Sequence, residues 1–391
     1  MKKAIIGLLL MICWTIPIST GVQAAEKQAS PNADLVSQAK SAILIERDTG
    51  TILYEKNVHQ KLPPASMTKI MTMLLIMDAI DQGKLKWNEK VRASEYAASM
   101  GGSQIFLEPS EEMTVDELMR GIAIGSGNDA AVAMAERIAG SEKAFVEMMN
   151  KKAKQMGLKD TVFKNATGLP AEGHYSSAYD MAMMAKELLK YDEVTKYTGK
   201  YEDYLRENTD KKFWLVNTNR LVKFYPGVDG VKTGFTADAK YCLTATAKKD
   251  GMRVIAVIFG APTPKERNEQ ITKLLDYAFS QYQTHPVYKR NEVISHVKIS
   301  KGKKKEAELV TAEPISVLTK KGANVKDIQK VVKLKENVKA PIQKGEELGT
   351  LVLKQNGKKL LESPLVAKQS VQEASWWDLW KRTLSSFVKS A

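Results

Sequence analysis

Hydrophobic and polar positions change their period repeatedly along the chain. Ala42-Ile43-Leu44-Ile45 and Ile52-Leu53-Tyr54 flank Asp48-Thr49-Gly50, which predicts two strands joined by a turn. Segments 66–82, 114–124, 129–139, 142–156 and 178–190 carry a helical pattern. Strand patterns return at 227–235, 241–247 and 252–260, with Asp250-Gly251 as a hairpin turn, and a helix over 265–282 follows. Strands, then helices, then strands and a helix predict one α+β domain over 25–284, its antiparallel sheet drawn from both ends of that segment. After His285-Pro286 the pattern becomes short β runs, among them Val293–Ile299, Ile315–Leu318 and Thr350–Leu353. They predict a small β-rich domain over 285–370.

The two ends follow different rules. Lys2 and Lys3 precede an apolar run from Ala4 to Ile18, and small and polar residues lead to Val22-Gln23-Ala24. This is the pattern of a secretory signal peptide over 1–24, with cleavage after Ala24 and an exported mature chain. The run is short for a span, which needs ~20 residues. Ile12 stands where a lipoprotein site before Cys13 needs a small residue. In the tail, 371–391, Trp376, Trp377, Trp380, Thr383, Leu384, Phe387 and Val388 share one helical face. Asp378, Lys381, Arg382, Ser385 and Lys389 occupy the other. The pattern predicts an amphipathic helix lying in a membrane interface, on the outer face of the cytoplasmic membrane.

Composition narrows the chemistry. The apolar fraction of 43% and charged fraction of 27% are globular. Without residues 1–24, only Cys242 remains of the two cysteines, so no internal disulfide can form. The four histidines are scattered, no metal-ligand spacing is present and no phosphate loop occurs, so no metal and no cofactor is expected. The net charge of +14 is concentrated late: residues 285–370 hold 19 Lys/Arg against 9 Asp/Glu. That excess is either a solvated surface or an attraction to anionic lipid head groups or wall polymers. The lysines lack interleaved aromatics, so nucleic acid is not an expected partner.

Candidate chemistry begins at Ser66-Met67-Thr68-Lys69. The spacing recurs at Ser37, Ser295, Ser300 and Ser386, so context must decide. Ser66 alone follows Pro63-Pro64-Ala65 and opens a helix apolar almost all round from Met67 to Met77, with Lys69 its only charge. Such a helix is buried. Serine and lysine three apart share a face. Burial lowers a lysine's pKa, so Lys69 can accept the Ser66 proton. Ser126-Gly127-Asn128 lies in a turn between two helices, the first opened by a capping box, Thr114 with Glu117, and a Met113/Leu118 staple. Asn128 is either a helix cap or a group projected into a cleft, and Ser126 can relay a proton. Lys232-Thr233-Gly234 occurs once, inside a strand run ending at Phe235. It offers a charge, a hydroxyl and room for a substrate backbone to add along the strand.

Together these motifs form the trio known from penicillin-binding proteins and class A β-lactamases. The chain resembles the low-molecular-mass penicillin-binding proteins, the D-alanyl-D-alanine carboxypeptidases, along essentially its whole length. Pro64–Thr72 and Gly227–Gly234 look especially similar to the sporulation-associated type of endospore-forming bacilli. The resemblance implies a sheet with helices on both faces, a helical subdomain and a C-terminal all-β domain. It also implies that Ser66 is acylated and Lys69 is its base. Ser126, Asn128 and Lys232 complete the proton network, and Lys232 and Thr233 face the substrate carboxylate. Backbone N–H groups of Ser66 and Phe235 form the oxyanion hole. The implied partners are stem peptides ending in D-Ala-D-Ala and β-lactams. Arg220 and Asp180 also lie in family-like surroundings, without an assigned role.

A β-lactamase shares the trio. Class A enzymes add a deacylating glutamate, typically with an asparagine four residues on; here Ser176 stands at that distance from Glu172. A non-catalytic penicillin-binding wall sensor is the reading from outside enzymology, and the intact motifs oppose it.

Overall fold

The structure is a computed structural model that describes residues 35–323, 328–355, 357–378 and 380. The expected export segment lies outside them.

The central sheet has five antiparallel strands in the order Ile52–Lys56, Ser41–Glu46, Met252–Ala261, Lys240–Lys249, Val228–Thr236. Both ends of the first segment therefore meet, with Ile43 opposite Val257. Ile43, Ile45, Ile255, Val257 and Phe259 enter one core, while Ala42, Leu44, Val254, Ala256 and Ile258 enter another. Both faces are covered, which is why Met252–Ala261 reads as a continuous apolar run and not as an alternation. Helix Pro264–Gln281 packs on the second face through Ile271, Leu274, Leu275 and Ala278. Helix Lys69–Asp81 fills the core of the first face, with helices Val115–Ala123, Asn128–Ala139, Glu142–Gln155 and Ala178–Leu188 around it.

The expected helix from Ser66 opens differently. Ala65–Thr68 is a 3-10 turn, closed by Met67 N donating to Pro64 O, and the α-helix begins at Lys69. The capping box forms: Glu117 N donates to Thr114 Oγ1 at 3.2 Å and Thr114 N donates to Glu117 Oε2 at 2.8 Å. The hairpin Glu202–Leu205 with Phe213–Val216 was not expected; the polar loop between its strands hides the pattern.

The later residues form a second five-stranded sheet, in the order Val293–Lys298, Glu306–Thr311, Lys358–Ala367, Glu347–Gln355, Gln329–Leu334. A two-stranded ribbon, Tyr282–Tyr288 with Ile315–Lys320, runs straight through residue 285. It brings Ser316 Oγ to donate to Asp48 Oδ2 at 2.5 Å, beside an ion pair of Lys186 with Glu313 at 2.7 Å. Val371 and Glu373 bridge to Ile342 and Gly302, so residues 371–374 belong with the β layer. Helical structure is described at 376–378 and 380; the rest of the expected tail helix lies outside the described residues. Among the described residues no helix is long and apolar enough to cross a membrane.

Candidate active site

The Ser66 turn is wedged between two backbones. On one side is strand Val228–Thr236, at the edge of the central sheet. A Cβ on Gly234 would sit 2.7 Å from Pro64 O and 3.2 Å from Ala65 Cβ. On the other side is the loop 165–169, where a Cβ on Gly168 would lie 1.8 Å from Ala65 O. Both glycines are required by contact with the residue before the serine. Ala65 and Ser126 themselves hold positive φ, 48° and 63°, a strain that packing on all sides sustains.

Lys69 is fully buried and its Nζ has three neighbours. It lies 2.6 Å from Asn128 Oδ1, 2.7 Å from Thr167 O and 3.1 Å from Ser66 Oγ. Burial holds its pKa well below the ordinary lysine value; the charge of Lys232 lowers it further, and Asp129 opposes. In the neutral amine the two N–H groups satisfy the Asn128 and Thr167 oxygens. The lone pair then remains for the Ser66 hydroxyl, which donates to it. Asn128 sits in the first turn of its helix, capped from Gly127, and its side chain does not cap it: Oδ1 faces Lys69 and Nδ2 donates to Gly101 O at 2.7 Å.

Lys232 is also buried, with Nζ donating to Thr233 O at 3.2 Å. Burial first, then the charge of Arg267, lowers its pKa to about 7. Thr233 Oγ1 donates to Thr218 Oγ1 at 2.7 Å. A cleft of about 420 Å³ is lined by Ser66, Ser126, Thr233, Gly234 and Phe235 together with Ser103, Thr218, Arg220, Tyr241, Arg267 and Asn268. Phe235 stands at its mouth, exposed and stacked on Tyr241 at 4.5 Å. The structure thus brings these sequence-predicted residues together: Ser66, Ser126, Thr233, Gly234 and Phe235 on the cleft wall, with Lys69 and Asn128 behind Ser66 and Lys232 buried within the edge strand.

Arg220 joins the cleft, and among the described residues no carboxylate approaches it within 4 Å. Asp180 does not join. Its Oδ2 accepts from Asp160 N and Thr161 Oγ1, both at 2.8 Å, and it fastens a loop.

Sequence reasoning missed four residues. Arg267 is buried in the cleft wall, bonded through Nε and Nη2 to the neutral Asn268 Oδ1, and burial lowers it to about 10. Thr167 acts through a main-chain carbonyl, which leaves no side-chain signature. Asn165 shapes that loop: its Oδ1 accepts from Gly168 N at 2.7 Å. His174 places Nε2 at 2.9 Å from Thr68 Oγ1, inside the nucleophile motif. Its Nδ1 accepts from Lys164 N at 3.4 Å, so Nε2 carries the proton and donates to Thr68. Burial, then Lys164, pushes His174 down to about 4.

The chain is similar to known proteins. Residues 25–263 match the family "D-alanyl-D-alanine carboxypeptidase", and residues 282–373 match "Penicillin-binding protein 5, C-terminal domain". The chain belongs to the D-alanyl-D-alanine carboxypeptidase family. The D-alanyl-D-alanine carboxypeptidase DacF of Bacillus subtilis is 67% identical over 93% of this chain and 94% of its own length. Penicillin-binding protein 5 of Haemophilus influenzae, as a solved structure, is 32% identical with a TM-score of 0.65, covering 86% of this chain and 98% of that one. Penicillin-binding protein D2 of Listeria monocytogenes, solved in its cefotaxime-bound form, is 32% identical with a TM-score of 0.57 over 64% of this chain and 99% of that one. The first match covers most of the α+β catalytic region and the second the all-β C-terminal region.

Proposed function

We propose that this carboxypeptidase removes the terminal D-alanine from peptidoglycan stem pentapeptides through an acyl-enzyme on Ser66. The observation that carries the reading is the Lys69 environment: two carbonyl oxygens hold its N–H groups and leave the lone pair for Ser66 Oγ at 3.1 Å. Ser66 Oγ attacks the carbonyl carbon of the penultimate D-alanine while its proton passes to Lys69 Nζ. Ser126 relays that proton from Lys69 to the departing D-alanine nitrogen, and the scissile C–N bond breaks, leaving Lys69 neutral. Water then attacks the ester carbonyl and gives a proton to Lys69, the ester C–O bond breaks, and Lys69 returns that proton to Ser66 Oγ. The oxyanion sits on the N–H groups of Ser66 and Phe235.

The substrate lies along the open edge of Val228–Thr236 as an added strand. Its carboxylate meets Thr233, Thr218, Lys232, Arg220 and Arg267. Two guanidinium groups lining one cleft without a carboxylate partner favour an anionic substrate end.

No carboxylate is among the residues lining the cleft, and Glu172 is exposed outside it, which favours a slow-hydrolysing penicillin target over a β-lactamase. The deciding experiment offers a peptide ending in D-Ala-D-Ala and measures free D-alanine, with Ser66→Ala as the control. No release by the parent, or rapid turnover of penicillin instead, would reject the reading. We also place the enzyme outside the cytoplasmic membrane, held peripherally by the tail that begins at Ser375, on the strength of its tryptophan face.

A further inference from the structure

The turn from Lys301 to Lys305 is bound to the root of the tail. Gly302 bridges to Glu373, Lys303 N donates to Gln372 O at 2.8 Å, and Ala374 N donates to Lys301 O at 2.7 Å. Only glycine permits this approach: a Cβ on Gly302 would lie 2.9 Å from Ile299 Cγ2 and 3.1 Å from Val371 Cγ1. Ser300 N donates to Val338 O and Ala340 N donates to Ser300 O, which draws Lys339 alongside. Lys301, Lys303, Lys304, Lys305 and Lys339 are all exposed. Among the described residues no carboxylate comes within 4 Å of Lys301, Lys305 or Lys339, and Lys304 Nζ donates to the neutral Gln369 while its charge also helps to lower the pKa of Glu308. Glu306 and Glu373 are the acids of these backbone segments, against five lysines.

One residue past Ala374 the helix is pinned. Ser375 N and Oγ donate to Asp378 Oδ2 at 2.9 and 2.7 Å. Trp376, Trp377 and Trp380 follow, 67%, 60% and 46% exposed, with ring centroids 5.1 to 6.4 Å apart. A ladder of main-chain hydrogen bonds therefore fixes a cationic turn beside a bare indole cluster.

We propose that the lysine turn 301–305, with Lys339, and the tryptophan cluster form one composite docking face for the anionic phospholipid head groups of a bilayer. The inference rests on the reading of the tail as a membrane-associating helix and adds a second, electrostatic element from the β layer. The ammonium groups meet lipid phosphates while the indoles enter the interfacial zone. A soluble polyanion matches the lysines but leaves the indoles in water, and the pairing of the two favours the bilayer. Two weak signals held in fixed register give stable attachment where either alone is marginal.

The test uses the exported enzyme and vesicles of phosphatidylcholine with or without phosphatidylglycerol. Replacing the five lysines by glutamine should weaken binding to phosphatidylglycerol vesicles by at least about tenfold. It should leave binding to pure phosphatidylcholine unchanged, and high salt should erase the difference between variant and parent. The five-arginine version should bind like the parent. Trp376→Ser, Trp377→Ser and Trp380→Ser together should weaken binding to both vesicle types, which separates the tail's part from the turn's. D-alanine release from a soluble peptide and the thermal midpoint should not move in the lysine variants, so failure here is distinct from failure of the catalytic reading. Equal binding of the glutamine variant and the parent to phosphatidylglycerol vesicles overturns the proposal. So does a loss confined to soluble polyglycerol phosphate, which would assign the lysines to a wall polymer.

Discussion

Lys69 and Lys232 are both buried lysines, and burial lowers the pKa of each. Lys69 is held well below the ordinary lysine value by burial and then by the charge of Lys232, which favours the neutral amine that accepts the Ser66 proton; Lys232 is itself lowered to about 7 by burial and then by Arg267. Lys69→Arg keeps a cation that cannot deprotonate, and acylation by penicillin should slow by about 10²–10⁴ as measured by stopped-flow or gel labelling. Lys232→Gln removes a like charge, which raises the Lys69 pKa. The acid limb of the acylation rate should therefore move to higher pH than in the parent. An unmoved acid limb would mean that Lys69 does not titrate in that limb. His174 tests the scaffold under the same motif. Its neutral form is favoured in the fold, so the unfolded chain takes up the proton first as pH falls. Stability should drop between about 6.5 and about 4, by roughly 3 kcal/mol from this group, and level off below. Urea midpoints across that window should be flatter for His174→Gln than for the parent.

At the scale of elements, the nucleophile turn depends on two close backbone approaches of unequal severity. Gly168→Ala places a Cβ 1.8 Å from Ala65 O at φ +86° and should destabilise the protein by more than about 3 kcal/mol. Gly234→Ala meets Pro64 O at 2.7 Å with an ordinary φ; it should cost less stability but slow acylation by pushing the edge strand off the turn. Urea unfolding and penicillin labelling of the two variants compare these directly. The sequence revealed what side chains state. Helix Lys69–Asp81, with its lone buried charge, announced a core helix, and Asp250-Gly251 announced the hairpin between the two long strands. The sequence was silent where main chain does the work. Thr167 contributes a carbonyl that any residue carries, and the 3-10 start at Ala65 arises from packing against Gly168 and Gly234. Arg267 stands in the first turn of its helix between Glu266 and Asn268, a place where charge is usually solvated. Its inward aim is set by the sheet beneath it. Ser126-Gly127-Asn128 was open between cap and site, and the 2.6 Å contact of Asn128 with Lys69 decides for the site.

Across the whole molecule, the catalytic wall is stitched from segments that are far apart in the chain. Ser66, Asn128, Thr167, Lys232 and Arg267 meet in a fold whose central sheet pairs Ser41–Glu46 with Met252–Ala261. Pairings of such sequence separation form late, because a long loop must close before any contact rewards it. An unfolded chain is therefore chemically inert toward a β-lactam until nearly all of the catalytic region has folded. Penicillin becomes a conformational stain for this protein. In refolding from urea, covalent labelling with a fluorescent penicillin should appear with the slowest phase of tryptophan fluorescence, and an early burst of labelling would contradict the late assembly. The same reagent would count only completed molecules, so the labelled fraction measures folding.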